Sequence, residues 1–270
     1  MSIKFSVLTS IYYKETPKHF DECMTSLCLK QTLKPTEIVL VKDGPLSPEL
    51  NEVISKWQSK LKEILIIISL EENLGLGKAL NIGLSHCSHE WIFRMDTDDI
   101  CLGDRFEKQV QFLMKNPEVD IVSVQVIEFD TTIDNVTGYK KVPLTHKNII
   151  RFSKTRNPFN HMAVAYKRSA IESVGGYKHH AYMEDYNLWL RVLAAGYIGA
   201  NLEAPLVLVR AGEELIKRRS GKVYLKSEWQ LFRIKRSLKY QRAVPAISTL
   251  IARSVPRLLP NEALTRIYSM

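Results

Sequence analysis

The sequence predicts an α/β chain: a doubly wound, mostly parallel sheet with helices on both faces, followed by a basic helical extension. Three observations lead there. Short apolar, β-branched runs alternate with amphipathic stretches over residues 1–126. Those runs are apolar on both faces, as strands covered from two sides must be. The net charge of +9 sits at one end: residues 1–204 hold 24 Lys+Arg against 25 Asp+Glu, residues 205–270 hold 14 against 4.

Phe5 to Tyr12 reads as a buried strand bounded by charge. Thr16-Pro17 is an N-cap followed by proline at the first helical position, opening a helix to about Lys30. Glu37 to Lys42 is a second strand, stopped by the turn signal Asp43-Gly44-Pro45. Leu46 to Leu61 is helical, with Val53, Ile54 and Trp57 on one face. Ile64 to Leu70 is a third strand, Gly77 to His86 a short helix, and Glu90 to Met95 a fourth strand. A helix over Leu102 to Lys115 and a strand over Asp120 to Val126 complete this half.

Beyond Val126 the pattern loosens. A hairpin is expected at Asn135 to Gly138, a helix over Thr145 to Ser153 and a strand over His161 to Tyr166. Gly175-Gly176 marks a turn. Glu184-Asp185 opens an amphipathic helix with Leu188, Val192 and Ala195 on one face. Leu206 to Val209 is a last strand. A charged loop over Arg210 to Lys222, carrying Lys217-Arg218-Arg219, precedes a basic helix from Tyr224 to Tyr240 and shorter helices after Val244.

Composition is ordinary for a globular chain, with 45% hydrophobic and 25% charged residues. The start of the chain lacks the apolar region and cleavage site of a secretion signal, and no apolar run reaches membrane-span length. The four cysteines have no metal-type spacing. A cytoplasmic protein with reduced thiols is the expectation.

Trp91 to Asp99 concentrates the chemistry. An apolar run broken once by Arg94 ends in Asp96, Asp98 and Asp99. Crowded carboxylates repel, and a hard divalent cation would relieve them. The alternative is an acidic turn capping the next helix. Position favours the first. Open parallel sheets bind ligands beyond the carboxyl ends of their strands, and three polar clusters fall there: Ser10 and Tyr12, Lys42-Asp43-Gly44, and Asp96 to Asp99. Asn73 to Lys78 is either a glycine-permissive connection or a place where Lys78 or a helix N-terminus meets phosphate; its glycine spacing fits neither standard nucleotide fingerprint. Glu184-Asp185 is either a helix-dipole pair or a general base. His161 stands alone and reads as structural or exposed.

Six segments in order, FSVLTSIYY (5–13), VLVKDG (39–44), NLGLGKALNIGL (73–84), FRMDTDD (93–99), VGGY (174–177) and MEDYNLWLRV (183–192), resemble the family 2 glycosyltransferases. These are inverting enzymes of the GT-A fold, and the chain is most similar to those that build bacterial exopolysaccharide or lipopolysaccharide. The resemblance implies a GT-A domain over 1–210, with a nucleotide-binding half (1–126) and an acceptor-binding half (127–210), and an extension over 211–270. It implies that Ser10, Tyr12 and Asp43 hold the uracil and ribose of a UDP-sugar. Asp96, Asp98 and Asp99 would bind the ribose and a Mn²⁺ or Mg²⁺ ion, and Lys78 and Asn81 would contact nucleotide or donor sugar. Asp185, with Glu184 beside it, would be the catalytic base. Arg210, Arg218 and Arg219 are expected to close on the diphosphate.

Lys42 stands where the family usually has another aspartate, and Ser10 replaces a common Pro or Thr. Gln230 to Arg233 echoes the Q-x-x-R-W of processive synthases, but Ile234 stands in place of Trp. With no membrane spans, a non-processive enzyme is expected. The acceptor implied is a glycan carried on a lipid diphosphate. Lys226, Arg233, Lys235, Arg236, Lys239 and Arg242, interleaved with Trp229, Phe232 and Tyr240, would rest the tail of 222–270 on an anionic inner leaflet; otherwise that helix packs on the domain. Competing readings are a sugar-phosphate nucleotidyltransferase and a basic nucleic-acid- or membrane-binding protein without catalysis. No nucleic-acid motif is present, so no nucleic-acid partner is expected.

Overall fold

The structure, a computed structural model, describes residues 3–211 and 221–255. β1 (Phe5–Ile11) and β2 (Glu37–Lys42) are buried almost throughout. Between them α1 (Pro17–Cys28) starts as expected: Thr16 accepts a hydrogen bond from the His19 amide, and proline fills the first helical position. Ser47 and Pro48 repeat the device for α2 (Pro48–Leu61), which buries Leu50, Ile54 and Trp57. β3 (Leu65–Ser69), α3 (Leu76–Ser85) and β4 (Trp91–Arg94) follow.

The second half holds β5 (Ile100–Cys101), α4 (Arg105–Lys115), β6 (Ile121–Phe129), β7 (Val136–Lys140), α5 (His146–Phe152), β8 (Ala165–Lys167), α6 (Arg168–Ser173), α7 (Glu184–Ala194) and β9 (Gly199–Arg210). After the undescribed stretch 212–220, α8 (Gly221–Ser237) and α9 (Ala243–Ser254) form the extension.

The described residues build one nine-stranded sheet in the order β3-β2-β1-β4-β8-β6-β9-β5, with β7 paired to β6. β1 to β4 pair in parallel, as do β6 and β9. β5, β7 and β8 run antiparallel to their neighbours. The six main strands therefore share one direction. Side chains alternate between two cores. Phe5, Val7 and Ile11 face α1, α2 and α4, while Leu8, Val39 and Val41 face α3, α6 and α7. Helices cover both faces, and the expected architecture holds.

Several local expectations change. The strand expected over Asp120 to Val126 runs on to Phe129 as β6. The hairpin forms, but its turn is Asp130 to Asn135, one turn earlier. The last strand is β9, 12 residues long. The strand expected over His161 to Tyr166 is split: a single 3-10 turn, His161–Ala163, precedes the three-residue β8. In α7, Tyr186 to Leu190, Val192 and Leu193 are all buried, because α8 covers the side that would otherwise face water.

The extension is folded onto the domain. α8 buries Tyr224, Ser227, Glu228, Leu231 and Lys235 and packs Tyr224 and Leu231 on Met183, Tyr186 and Leu190 of the α7 region. Lys235 is 3% exposed and so leaves the expected basic surface. Tyr240 also turns inward, its hydroxyl 2.6 Å from Ser153 Oγ. Trp229 stays 54% exposed, with Phe232 stacked on it. No helix of the described residues is long and apolar enough to cross a membrane.

Candidate active site

The carboxyl ends of β2, β1 and β4 lie side by side. The Asp43 amide donates to the Ile11 carbonyl at 2.8 Å and the Met95 amide to the Leu8 carbonyl at 3.3 Å. Ser10, Tyr12, Asp43 and the Asp96–Asp99 turn are thereby brought to one edge, as the strand pattern predicts.

The three aspartates of that turn differ. Arg94, the charge that breaks the apolar run, is fully buried, and its guanidinium bends back to the Met95 carbonyl and the Asp96 carboxylate. A second fully buried arginine, Arg105, donates to the Arg94 carbonyl at 2.7 Å. Burial works to raise the Asp96 carboxyl, but Arg94 outweighs it and holds Asp96 below its ordinary value. Asp99 is 2% exposed and turned inward, accepting from the Arg210 amide at 3.0 Å; burial, then Asp98 and Asp96, push it well above the carboxylate range. Asp98 is half-buried. Burial, then Asp96 and Glu15, push it up to about 7. Glu15 is held close because Thr97 Oγ1 donates to it at 2.6 Å. Sequence reading missed this fourth carboxylate, which lies 81 positions before Asp96 with no motif to mark it.

Among the described residues, no three Asp, Glu, His or Cys side chains converge as a protein-only metal cage. A magnesium-type ion on a nucleotide needs only one or two carboxylates, the phosphates and water supplying the rest. Asp98 fits that demand: its crowding by like charge is what a cation relieves, whereas Asp96 already has Arg94 and Asp99 the Arg210 amide.

Other expected donor contacts are partly committed elsewhere. Asp43 is 3% exposed; its oxygens accept from the Leu74 amide at 2.7 Å and the Gly75 amide at 3.1 Å. The carboxylate thus fixes the two residues that lead into α3. Gly44 makes this close approach possible: a Cβ there would stand 2.7 Å from the Asn73 nitrogen. Each Asp43 oxygen keeps a second lone pair for a base. Asn81 is spent on the backbone of Tyr177, donating to its carbonyl at 2.8 Å and accepting from its amide at 2.7 Å. It thereby latches α3 to the residue after the Gly175-Gly176 turn. Lys78 is exposed in the first turn of α3. Arg210 reaches the aspartates, but its guanidinium goes to Glu22 at 2.9 Å and to the Asp98 carbonyl at 3.2 Å. A cleft of about 360 Å³ is lined by Glu22, Ser26, Phe129 and Arg210 among others. Arg218 and Arg219 lie outside the described residues.

Glu184 and Asp185 open α7. Asp185 accepts from Asn157 Nδ2 at 2.6 Å and from the Tyr186 amide at 2.7 Å. Glu184 packs against Gly77, at the start of α3, and burial raises its carboxyl to about 7. His161, set aside in the sequence, lies close enough to feel both Asp185 and Asp96. Its Nε2 is 2.9 Å from the Tyr177 hydroxyl. Burial, then Arg94, pull its imidazole down to about 4, while Asp185 and Asp96 oppose them. A lone histidine carries no sequence signal for such a place; VGGY, which positions Tyr177, was the nearest clue.

Known proteins carry the same pattern. The sequence model described as "Glycosyl transferase family 2" matches residues 6–175. The amylovoran biosynthesis glycosyltransferase AmsE of Erwinia amylovora is 46% identical over 264 residues, covering 98% of this chain and 97% of its own. A UDP-Gal:alpha-D-GlcNAc-diphosphoundecaprenol beta-1,3-galactosyltransferase of Escherichia coli is 40% identical, covering 98% and 95%. Among solved structures, S. aureus TarS 1–349 in complex with UDP-GlcNAc superposes with a TM-score of 0.65 at 20% identity, over 86% of this chain and 66% of that one. The mannosyltransferase PcManGT from Pyrobaculum calidifontis, in complex with GDP-Man and Mn²⁺, gives 0.65 at 17% identity, over 98% and 73%. At such identities the structures establish the fold.

Proposed function

The chain belongs to glycosyl transferase family 2, with a GT-A-like fold, and on that premise we propose a non-processive, inverting and metal-dependent transfer. The donor is a nucleotide-diphospho-sugar, in our reading a UDP-sugar. The acceptor is a hydroxyl of a glycan on a lipid diphosphate, in bacterial surface polysaccharide assembly. The nucleotidyltransferase reading gives way to the family membership. One observation carries the proposal: Asp98, crowded by Asp96 and Glu15, stands at the carboxyl end of β4, beside the ends of β1 and β2.

Tyr12 and Ser10 flank the nucleoside, and Asp43, fixed by the Leu74 and Gly75 amides, presents its remaining lone pairs to the base. Asp98, with Asp96 behind it, holds the divalent ion carried by the donor. Bound there, Mn²⁺ or Mg²⁺ would supply Lewis-acid stabilisation of the departing diphosphate. Asp185 takes the proton of the acceptor hydroxyl as general base. The hydroxyl oxygen then bonds to the anomeric carbon as the bond to the diphosphate breaks, so inversion needs no enzyme nucleophile.

The lipid-linked acceptor gives the extension its partner, an anionic membrane surface at the cytoplasmic face. Lys222, Lys226, Trp229, Arg233 and Arg236 recur at helical spacing on the exposed face of α8. Val244, Ile247 and Ile251 do the same on α9, followed by Val255 at its end, and all are about half exposed or more. Glu228, the one acid of 221–255, is buried against Arg253. Trp229→Ser with Ile247→Ser is expected to cut co-sedimentation with phosphatidylglycerol vesicles at least fivefold; unchanged binding refutes the contact. For the chemistry, UDP release is measured with UDP-glucose, UDP-galactose and UDP-N-acetylglucosamine and an N-acetylglucosamine-diphospho-lipid acceptor. Acceptor-dependent release that Asp185→Asn lowers about a thousandfold or more is the expected result; unchanged release in that variant refutes the base assignment.

A further inference from the structure

We infer that the C-terminal helices hold the proposed base in place: α8 and α9 grip the segment 153–157, whose last residue, Asn157, orients the Asp185 carboxylate. The inference rests on Asp185 acting as base. It extends that reading to Asn157, Lys235, Tyr240 and Arg253, which no motif marks.

The segment starts at Ser153, the C-cap of α5, and its carbonyls lie just beyond that helix. Here each of three successive carbonyls is captured by a different side chain. Tyr186 OH donates to the Ser153 carbonyl at 2.7 Å, Lys235 Nζ to the Lys154 carbonyl at 2.8 Å and Arg253 Nη1 to the Thr155 carbonyl at 2.8 Å. Two of these donors are cationic groups at a helix C-terminus, the sign the dipole favours. Ser153 Oγ donates to the Ile150 carbonyl and meets the Tyr240 hydroxyl at 2.6 Å.

The grips are coupled. Lys235 Nζ also donates to Tyr186 OH at 3.0 Å, and Arg253 is fixed by the buried Glu228 at 2.7 Å. Tyr186 directly follows Asp185, and its amide donates to that carboxylate. One end of the network therefore fixes the backbone of α7 and the other fixes Asn157, which donates to Asp185 Oδ2 at 2.6 Å. Burial, then Arg253, pull the Lys235 ammonium down to about 7. A buried lysine is costly, and surface roles do not require one. Its two hydrogen bonds tie α8 to α7 and to 153–157 together. Asn157, Lys235, Tyr240 and Arg253 are positioning residues: they act through the carboxylate.

The test compares the whole protein with Asn157→Asp, Lys235→Met and Asp185→Asn, using UDP-galactose and an N-acetylglucosamine-diphospho-lipid. Asn157→Asp keeps shape but replaces the donor by an acceptor; Lys235→Met keeps the chain length and removes the donors. Both are expected to lower kcat, at least tenfold and at least fivefold respectively, with donor KM and UDP affinity within twofold of wild type. The pH profile of kcat is expected to move in Asn157→Asp. Wild-type kcat in both, with Asp185→Asn inactive, overturns the positioning role and leaves the base standing. A fall in thermal stability with kcat unchanged overturns it equally. Turnover retained in Asp185→Asn refutes the base reading itself, and the positioning role falls with it.

Discussion

Gly176→Ala is the sharpest test of how the two halves of the site are joined. Gly176 has φ +61, and a Cβ there would lie 2.5 Å from Asn81 Oδ1. Two costs follow. The left-handed backbone disfavours alanine by about 1–2 kcal/mol. The displaced Asn81 amide gives up its two hydrogen bonds to Tyr177, at 2.8 and 2.7 Å, each contributing about 1 kcal/mol. Reduced freedom of the unfolded chain returns at most about 1 kcal/mol. The net expectation is a loss of about 2–3 kcal/mol, read as a shift of the urea midpoint at constant slope. Asn81→Ala removes the collision, so in that background Gly176→Ala should cost only the backbone strain, a coupling of about 1.5–2 kcal/mol. A neutral Gly176→Ala, or strict additivity of the pair, would refute the latch.

Three further outcomes follow from buried charge. The Glu184 carboxyl, raised to about 7 by burial, keeps its proton longer in the folded than in the unfolded state. Its contribution to stability is therefore fully present below about pH 4.5 and lost as pH rises through 7, and Glu184→Gln should flatten that fall in urea titrations across the window. His161, pulled down to about 4, acts in the opposite sense: the unfolded state binds its proton first, so stability drops as pH falls from about 6.5 to 4, and His161→Gln should remove that drop. Arg253→Leu removes the 2.7 Å ion pair to Glu228, 2% exposed, and is expected to destabilise by about 1–3 kcal/mol; adding Glu228→Gln should restore part of it. A loss of under 1 kcal/mol in the single variant would contradict the burial argument.

The parallel half was legible because its signals are local. Thr16-Pro17 and Ser47-Pro48 cap their helices, and β1, β2 and β4 are continuous apolar runs. The placement of Ser10, Tyr12, Asp43 and Asp96–Asp99 followed from strand direction alone. What was not legible depends on partners far along the chain. β5 is two residues long, exists only by pairing with β9, and has no periodicity of its own. Asn81 looks free until Tyr177, 96 positions on, takes both ends of its amide. Lys235 sits in a basic run that reads as a solvated face; it is buried because Tyr186 and the Lys154 carbonyl wait on the other side. Glu15 and His161 join the site through Thr97 and Tyr177, contacts no spacing announces.

The central claim is that Asp98 at the end of β4 holds a donor-borne cation. Calorimetric titration of UDP into the protein, with Mn²⁺ and with EDTA, tests it most directly. The account predicts UDP binding at least tenfold tighter with Mn²⁺, and Asp98→Asn binding UDP equally with and without the metal. Metal-dependent UDP binding that survives in Asp98→Asn, or wild-type binding indifferent to Mn²⁺, would contradict it.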